Sequence, residues 1–139
     1  MCIRDSNIKN YARAEIILTG VSRSGKTPTC LFLALQYGIF AANYPLIEED
    51  LKTIKLPNIL QKNKNKLFGL SINPVRLQNI RDERRSNSGY ASIDQCRKEV
   101  KLAEDMFVQN QVPFLDTSHT SIEEIAGRIL NKSDIKRRY

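Results

Sequence analysis

Gly20-Val21-Ser22-Arg23-Ser24-Gly25-Lys26-Thr27 is a full match to the pattern G-x-x-x-x-G-K-[ST], the signature of the phosphate-binding P-loop. The run before it, Ala14 to Thr19, is short, apolar and rich in β-branched residues, as expected for a buried parallel strand. The residues after it have helical spacing. The motif therefore lies between a strand and a helix, where a loop that binds phosphate has to be.

Each residue type that this pattern requires has a chemical reason. Gly20 and Gly25 allow positive φ and a close approach to a ligand, so that successive N–H groups can converge on phosphate oxygens. The ammonium group of Lys26 is predicted to reach the β-phosphate, and the hydroxyl of Thr27 to bind Mg²⁺. The alternative is a glycine turn with a solvated lysine, and the spacing favours phosphate binding. The predicted nucleotide-binding residues are Gly20, Val21, Ser22, Arg23, Ser24, Gly25, Lys26 and Thr27.

Length and charge limit the classes of protein to consider. With 139 residues the chain has the length of one domain, and its 22 Lys and Arg against 15 Asp and Glu give a net charge of +7. This charge suits an anionic ligand, an acidic partner or nucleic acid, although an ordinary basic surface explains it equally well. Nucleic acid is not favoured, because the aromatic residues are not interleaved with the basic ones.

The cysteines and the apolar runs indicate a reduced, cytoplasmic protein without a membrane span. The three cysteines have no C-x-x-C spacing, and the single histidine cannot complete a Cys/His metal site. No apolar run is long enough to cross a bilayer, and no signal peptide is recognisable. Residues 1–13 are interpreted as a leader, of foreign or native origin, and residues 14–139 as a P-loop kinase-like domain.

Alternating strand and helix patterns predict an α/β fold. We expect a three-layer P-loop nucleotide-binding domain, with helices on both faces of a mainly parallel sheet of four or five strands. The strand patterns contain Ile16, Phe40, Phe68 and Phe114. The second strand is predicted over residues 39–42, because Pro45 cannot donate to a ladder. Pro113 places the fourth strand at an edge or lies at that strand's start.

The helix patterns are less uniform. The helix after the P-loop is predicted to bury Leu31, Ala34 and Leu35. Capping boxes start two later helices, at Ser92 and at Ser121. The first of these helices is predicted to bury Cys96, Val100, Ala103 and Phe107. Two polar stretches are expected to be exposed: residues 48–50 as a solvated turn rather than a helix start, and residues 61–66 as a loop.

A helix rich in arginine follows the third strand. Asn73 and Pro74 predict its start. The expected buried side carries Val75, Leu77 and Ile80, and the expected outward side carries Arg76, Arg81, Arg84 and Arg85. Because P-loop kinases use arginines to neutralise the transferred phosphoryl group, Arg81 and Arg85 are predicted to be catalytic, on a mobile segment hinged at residues 86–89. A solvated face paired with neighbouring acidic residues is the alternative that stays open.

The fourth strand pattern ends in a carboxylate, Asp116. An apolar strand that ends in Asp resembles the form in which a carboxylate helps to hold Mg²⁺ in P-loop proteins. Asp116 is therefore a predicted metal ligand together with Thr27. Its alternative role is that of a turn or cap residue.

A more specific likeness includes the P-loop and covers nearly everything from Ala14 onward. From Gly20 to Pro28 the sequence resembles the phosphoenolpyruvate synthase regulatory proteins, relatives of the plant pyruvate, phosphate dikinase regulatory proteins. The Val-Ser-Arg within the motif and the proline directly after it separate this family from other P-loop kinases. Further matching segments are residues 14–18, 42–46, 66–70, 80–85, 90–92, 112–116 and 121–124.

The resemblance implies a bifunctional enzyme that acts on another enzyme. Such proteins phosphorylate a threonine of phosphoenolpyruvate synthase with ADP as donor, and they reverse this with inorganic phosphate, releasing pyrophosphate. It places ADP at residues 20–27. Relatives carry a further N-terminal domain, so the chain is interpreted as the C-terminal portion, and Asn73 stands where many relatives have Asp. Composition and spacing alone leave open a small-molecule P-loop kinase that uses ATP, or a non-catalytic basic binding module.

Overall fold

Strand β1, Ile16–Gly20, is buried along its whole length and leads directly into the P-loop. In the computed structural model, which describes residues 11, 13–53, 55–84 and 92–133, this strand lies inside a sheet of order β2-β1-β3-β4. The other strands are β2 (Ala41–Pro45), β3 (Leu67–Ser71) and β4 (Phe114–Asp116). All three pairings are parallel, which confirms the predicted α/β fold.

Helices cover both faces of this sheet. They are α1 (Lys26–Tyr37), α2 (Glu48–Thr53), α3 (Asn58–Lys62), α4 (Pro74–Arg84), α5 (Ile93–Gln109) and α6 (Ile122–Ser133). Because side chains alternate along a strand, Ile16 and Leu18 pack with α1 and α6, whereas Ile17 packs with the helices of the opposite face. The three-layer architecture predicted from the sequence is thereby confirmed. None of the helices in the described ranges is long and apolar enough to cross a membrane.

The second strand differs from its prediction. It runs from Ala41 through Pro45 instead of ending at residue 42. Proline is tolerated because β2 is an edge strand of the described sheet and Pro45 is its last residue. Pairing with β1 therefore continues as far as Gly20, the first residue of the P-loop. The prediction for the fourth strand was correct, since Pro113 directly precedes the edge strand β4.

The buried side of α1 was predicted wrongly. Leu31 and Leu35 are exposed, Leu35 by 74%, whereas Thr29, Cys30 and Leu33 are buried. The P-loop sets the rotation of this helix, because the side chain of its first residue is turned under the loop and is only 4% exposed. Residues three, four and seven positions further on then share that buried side.

Two polar stretches expected to be exposed and irregular are in fact partly helical. Residues 48–50 open helix α2, where Asp50 Oδ2 accepts a hydrogen bond from the Ile47 N–H at 3.1 Å. Leu51 anchors this short helix in the core, as Leu60 anchors α3. The 3₁₀ turn Lys64–Lys66 then leads into β3. A single buried leucine in each helix outweighs the polar composition of its surroundings.

The predicted helix starts at Asn73, Ser92 and Ser121 are confirmed. Asn73 Oδ1 accepts from the Val75 N–H at 2.8 Å, and Ser92 Oγ accepts from the Gln95 N–H at 3.2 Å. Ser121 Oγ caps α6 in the same way. Each side chain satisfies one of the N–H groups that the first turn of a helix leaves open.

Gly69 and Gly127 offer a test of this packing. A Cβ added to Gly69 would lie 2.8 Å from the Phe107 ring, which packs against Phe114 with ring centroids 5.4 Å apart. We expect Gly69→Ala to destabilise the fold by about 1–3 kcal/mol, because the ring has to move. Gly127→Ala, in α6 with no atom within 4 Å of the new Cβ, should be neutral or stabilise by up to about 1 kcal/mol.

The free energy of unfolding of both variants is measured by chemical denaturation followed by circular dichroism. If Gly69→Ala were as stable as the unchanged protein, the close packing of α5 on β3 would be wrong.

Candidate nucleotide-binding site

The P-loop has a backbone path that only particular residues can follow. Gly25 has φ 97°, in the left-handed region. A Cβ on Gly20 would lie 2.5 Å from the carbonyl oxygen of Leu70 on the neighbouring strand, so this position has no room for a side chain. Arg23 also has a positive φ, 71°, which is uncommon for a residue with a side chain and is often found at functional sites.

Side-chain hydrogen bonds, from within the motif and from distant elements, stabilise the loop. The carbonyl oxygen of Val21 accepts hydrogen bonds from Ser24 Oγ at 2.8 Å and from Lys26 Nζ at 2.6 Å. The Ser24 carbonyl accepts a hydrogen bond from Thr117 Oγ1 at 3.1 Å, and the Ser22 carbonyl accepts one from a side-chain nitrogen of Arg81 in α4. The backbone N–H of Thr117 donates to the Ser71 carbonyl at the end of β3, at 2.8 Å. The loop is thus bound to β3, to α4 and to the segment after β4.

A cavity of about 370 Å³ opens on the β2 side of the loop. Lys26 and Thr27 lie on its P-loop wall, and Asn43, Ile80 and Glu83 line it from β2 and α4. Five of the eight predicted residues of the motif, Ser22, Arg23, Gly25, Lys26 and Thr27, line this cavity, whereas Gly20, Val21 and Ser24 do not. Lys26, bound to the Val21 carbonyl here, lies within reach of an anion that enters.

Sequence reasoning missed Asn43. Its side chain is 3% exposed, and its Nδ2 donates a hydrogen bond of 3.0 Å to Thr27 Oγ1, the predicted Mg²⁺ ligand. A polar residue near the carboxyl end of an otherwise apolar parallel strand is the signal that could have found it, because ligands bind at that edge of such sheets.

Arg81 does not face outward, so the interpretation of it as part of a solvated face is wrong, while its catalytic role on a mobile segment stays a prediction. Its side chain is fully buried and pairs with both carboxylate oxygens of Glu99, at 2.8 and 3.2 Å. Nη2 also donates a hydrogen bond of 3.1 Å to the carbonyl oxygen of Ser22 in the P-loop. Arg81 follows Leu77 by one turn on the buried side of α4, whereas Val75, predicted to be buried, is exposed.

The other predictions for the arginine-rich segment have different outcomes. Arg85 and the predicted hinge at residues 86–89 lie outside the described residues, as does the side chain of Arg84. Arg76 lines a second cavity, of about 170 Å³, beside the P-loop. Arg23 and Ile80 also line this cavity. One arginine of α4 predicted to face outward is therefore placed beside the loop.

Cys96 lies in the core beside this ion pair, as predicted. It is buried, and its Sγ lies 4.0 Å from Arg81 Nη1. Burial raises the pKa of the Cys96 thiol, against the opposing effect of the guanidinium. The thiol therefore stays protonated near neutral pH, which suits a packing role rather than a nucleophilic one.

Asp116 has the environment of a turn residue. It is exposed, and its Oδ1 accepts from the Ser118 N–H at 2.8 Å. It lines neither of the two cavities, and β4 is separated from β1 by β3. The geometry agrees with the alternative cap role, and the role of Asp116 as a metal ligand stays a prediction.

Comparison with known proteins identifies relatives of the whole described region. A sequence model of the kinase/pyrophosphorylase family matches residues 5–130. A protein from Pseudoalteromonas translucida is 59% identical over 132 residues, and one from Laribacter hongkongensis is 58% identical. Both are named as phosphoenolpyruvate synthase regulatory proteins, a role that their names mark as not established. The match covers 95% of this chain and 49% and 48% of these relatives, so the chain spans about half their length.

A solved structure also shows some likeness. It is the YorR protein of Bacillus subtilis in complex with phosphorylated GDP, which is 13% identical to this chain and has a TM-score of 0.44. The alignment covers 96% of this chain and 94% of that protein.

Lys26→Ala tests the nucleotide site. We expect at least tenfold weaker binding of ADP, because the loop loses its buried cation, with the fold retained. Isothermal titration calorimetry measures the affinity, and Lys101→Ala, at an exposed position of α5, serves as a control of equal charge change. Unchanged ADP affinity in a folded Lys26→Ala protein would show that the assignment is wrong.

Glu99→Ala tests whether the buried ion pair between Arg81 and Glu99 stabilises the structure around the P-loop. Removing the carboxylate leaves Arg81 buried without its counter-ion, and we expect a loss of about 3–5 kcal/mol in the free energy of unfolding. The control is Glu124→Ala, which removes the exposed pair between Glu124 and Arg128 and should cost less than about 1 kcal/mol. Denaturation curves compare the two variants. Equal effects would contradict a structural role for the buried pair.

Proposed function

We propose that this chain, which belongs to the kinase/pyrophosphorylase family, is the nucleotide-binding part of a bifunctional regulator of phosphoenolpyruvate synthase. It acts as an ADP-dependent serine/threonine protein kinase on a threonine of that enzyme. It also acts as a phosphorylase that removes the phosphoryl group with inorganic phosphate. The observation that carries the proposal is the P-loop, whose Lys26 and Thr27 line one cavity large enough for the phosphates of a nucleotide.

Both reactions move one phosphoryl group between a threonine oxygen and an anion held at the P-loop. In the kinase reaction the threonine oxygen attacks the β-phosphorus of ADP, the bond to the oxygen bridging the phosphates breaks, AMP leaves and the hydroxyl proton goes to a base. In the reverse direction an oxygen of inorganic phosphate attacks the phosphorus of the phosphothreonine and the bond from that phosphorus to the threonine oxygen breaks. The threonine oxygen takes up a proton, and the product is pyrophosphate. One anion site serves both directions.

The residues of the loop have distinct parts in this chemistry. The N–H groups and Lys26 hold the β-phosphate of ADP, or the phosphate that replaces it, and stabilise the charge that spreads over the transferring group. Arg81 is already paired with Glu99 and acts through the Ser22 carbonyl as a positioning residue. Arg85 remains the proposed catalytic arginine from the sequence.

The cavity also fits Mg²⁺, which prefers oxygen ligands and usually keeps several waters. The Thr27 hydroxyl lies on the cavity wall beside Lys26, where a cation can share the phosphate oxygens. When bound, Mg²⁺ would neutralise charge on the phosphates.

The proposal is tested by incubating the chain with purified phosphoenolpyruvate synthase and ADP. We expect AMP and phosphothreonine as products, and pyrophosphate when inorganic phosphate is then added. Because the chain spans about half the length of its relatives, the assay is run both on the chain alone and on the chain joined to the part of the Pseudoalteromonas relative that the match does not cover. Mass spectrometry locates the phosphothreonine.

The controls separate the alternative functions. Lys26→Ala should abolish both products, and Lys101→Ala should leave them unchanged. Consumption of ATP without a protein acceptor would instead identify a small-molecule kinase. No turnover in the joined protein, with ADP still bound, would leave a binding module as the function.

A further inference from the structure

Asn43 is buried at a place where an apolar residue would be expected. It lies in the edge strand β2 between small and apolar residues, and its side chain lines the P-loop cavity. One end of its amide is used, because Nδ2 donates to Thr27 Oγ1 at 3.0 Å. This bond fixes the hydroxyl oxygen of a residue that the motif assigns to a cation.

The other end of the same amide has no such bond. Asn43 Oδ1 is buried and has no hydrogen-bond partner among the residues that the structure describes. A buried carbonyl oxygen without a donor costs free energy, which a ligand recovers if it brings a donor to that point. Water molecules bound to Mg²⁺ are such donors, and Mg²⁺ in proteins usually keeps several of them.

We propose that Asn43 is a positioning residue for the divalent cation that accompanies the nucleotide. Its amide nitrogen holds the Thr27 hydroxyl oxygen in place, and its amide oxygen accepts a hydrogen bond from a water of the cation. The cation thus lies on the β2 side of the P-loop, away from β4 and Asp116. The inference rests on the part of the proposed function that places a nucleoside diphosphate with Mg²⁺ at the P-loop, and it is independent of the protein acceptor.

The neutral amide has a consequence for affinity. A carboxylate at this position would attract a cation by itself, whereas Asn43 and Thr27 bring no charge. The Glu83 carboxylate, on the α4 wall of the same cavity, is exposed to solvent, so the phosphate oxygens of the nucleotide must supply most of the negative charge at the cation. We expect Mn²⁺, used as a spectroscopic substitute for Mg²⁺, to bind only when ADP is present.

The test compares ADP affinity by calorimetry in Mg²⁺ and in EDTA, and the ratio of the two affinities is the metal dependence. Asn43→Ala should reduce this ratio about tenfold or more, as is typical when a partner of a metal ligand is removed, with ADP affinity in EDTA unchanged. Asn43→Asp should keep or raise the ratio, because a carboxylate can accept from both the Thr27 hydroxyl and a bound water and also attracts the cation. In a Thr27→Val background, Asn43→Ala should have a smaller effect than in the unchanged protein, because the bond to the Thr27 hydroxyl is already lost and only the bond to the water remains to be removed.

Thr19→Val is the matched control. Thr19 is buried on β1, and its hydroxyl donates to the Tyr44 carbonyl of β2 at 2.7 Å, so this variant, like Asn43→Ala, loses a side-chain hydrogen bond that involves β2. Its metal dependence should equal that of the unchanged protein. Electron paramagnetic resonance of free Mn²⁺ gives a second measure of cation binding, and circular dichroism establishes that each variant is folded.

Three results would overturn the inference in a protein that binds ADP. The first is an Asn43→Ala variant whose metal dependence stays within twofold of that of the unchanged protein. The second is an Asn43→Asp variant whose metal dependence falls as much as that of Asn43→Ala. The third is a Thr19→Val variant whose metal dependence falls by the same factor. A wild-type protein that binds no ADP in either buffer would overturn the proposed nucleotide function, and this inference with it.

Discussion

The P-loop depends on hydrogen bonds to its carbonyl oxygens. Those of Val21, Ser22 and Ser24 accept hydrogen bonds from α1, from α4, and from the segment after β4. In a planar trans peptide the C=O of one residue and the N–H of the next point in opposite directions. Holding these carbonyls against the protein therefore turns the N–H groups of Ser22, Arg23 and Gly25 the other way, toward the side that receives an anion.

A buried guanidinium is well suited to one of these bonds. Arg81 uses two nitrogens for the Glu99 carboxylate and still has a donor for the Ser22 carbonyl, because its planar group presents five N–H donors in fixed directions. The carboxylate compensates the cost of burying the charge, and the pair connects α4 to α5 beneath the loop. A lysine carries its three donors on one nitrogen, so it cannot reproduce the planar fork that pairs with both Glu99 oxygens and also reaches the Ser22 carbonyl.

The sequence was sufficient for the parts of this structure that depend on local patterns. The motif, the alternation of strands and helices, and the capping residues Ser92 and Ser121 predicted the parallel sheet and its position relative to the P-loop. It was insufficient wherever tertiary contacts decide the outcome. The periodicity of α4 contains Arg81 as well as its apolar residues, and only the position of Glu99 on another helix reveals that this arginine is buried. Likewise Asn43 gains its meaning from parallel pairing of β2 with β1, which no local pattern contains.

The P-loop is contiguous in sequence, but the bonds that shape it are long-range. Its contacts with Arg81 and Thr117 join residues 59 and 93 positions apart. Since closing such distances requires the ordering of most of the intervening chain, the loop should acquire its binding shape late in folding, after the parallel sheet has assembled. A nucleotide bound as proposed would then report the folding of the entire domain, and it would stabilise β4 and α5 as much as the loop itself.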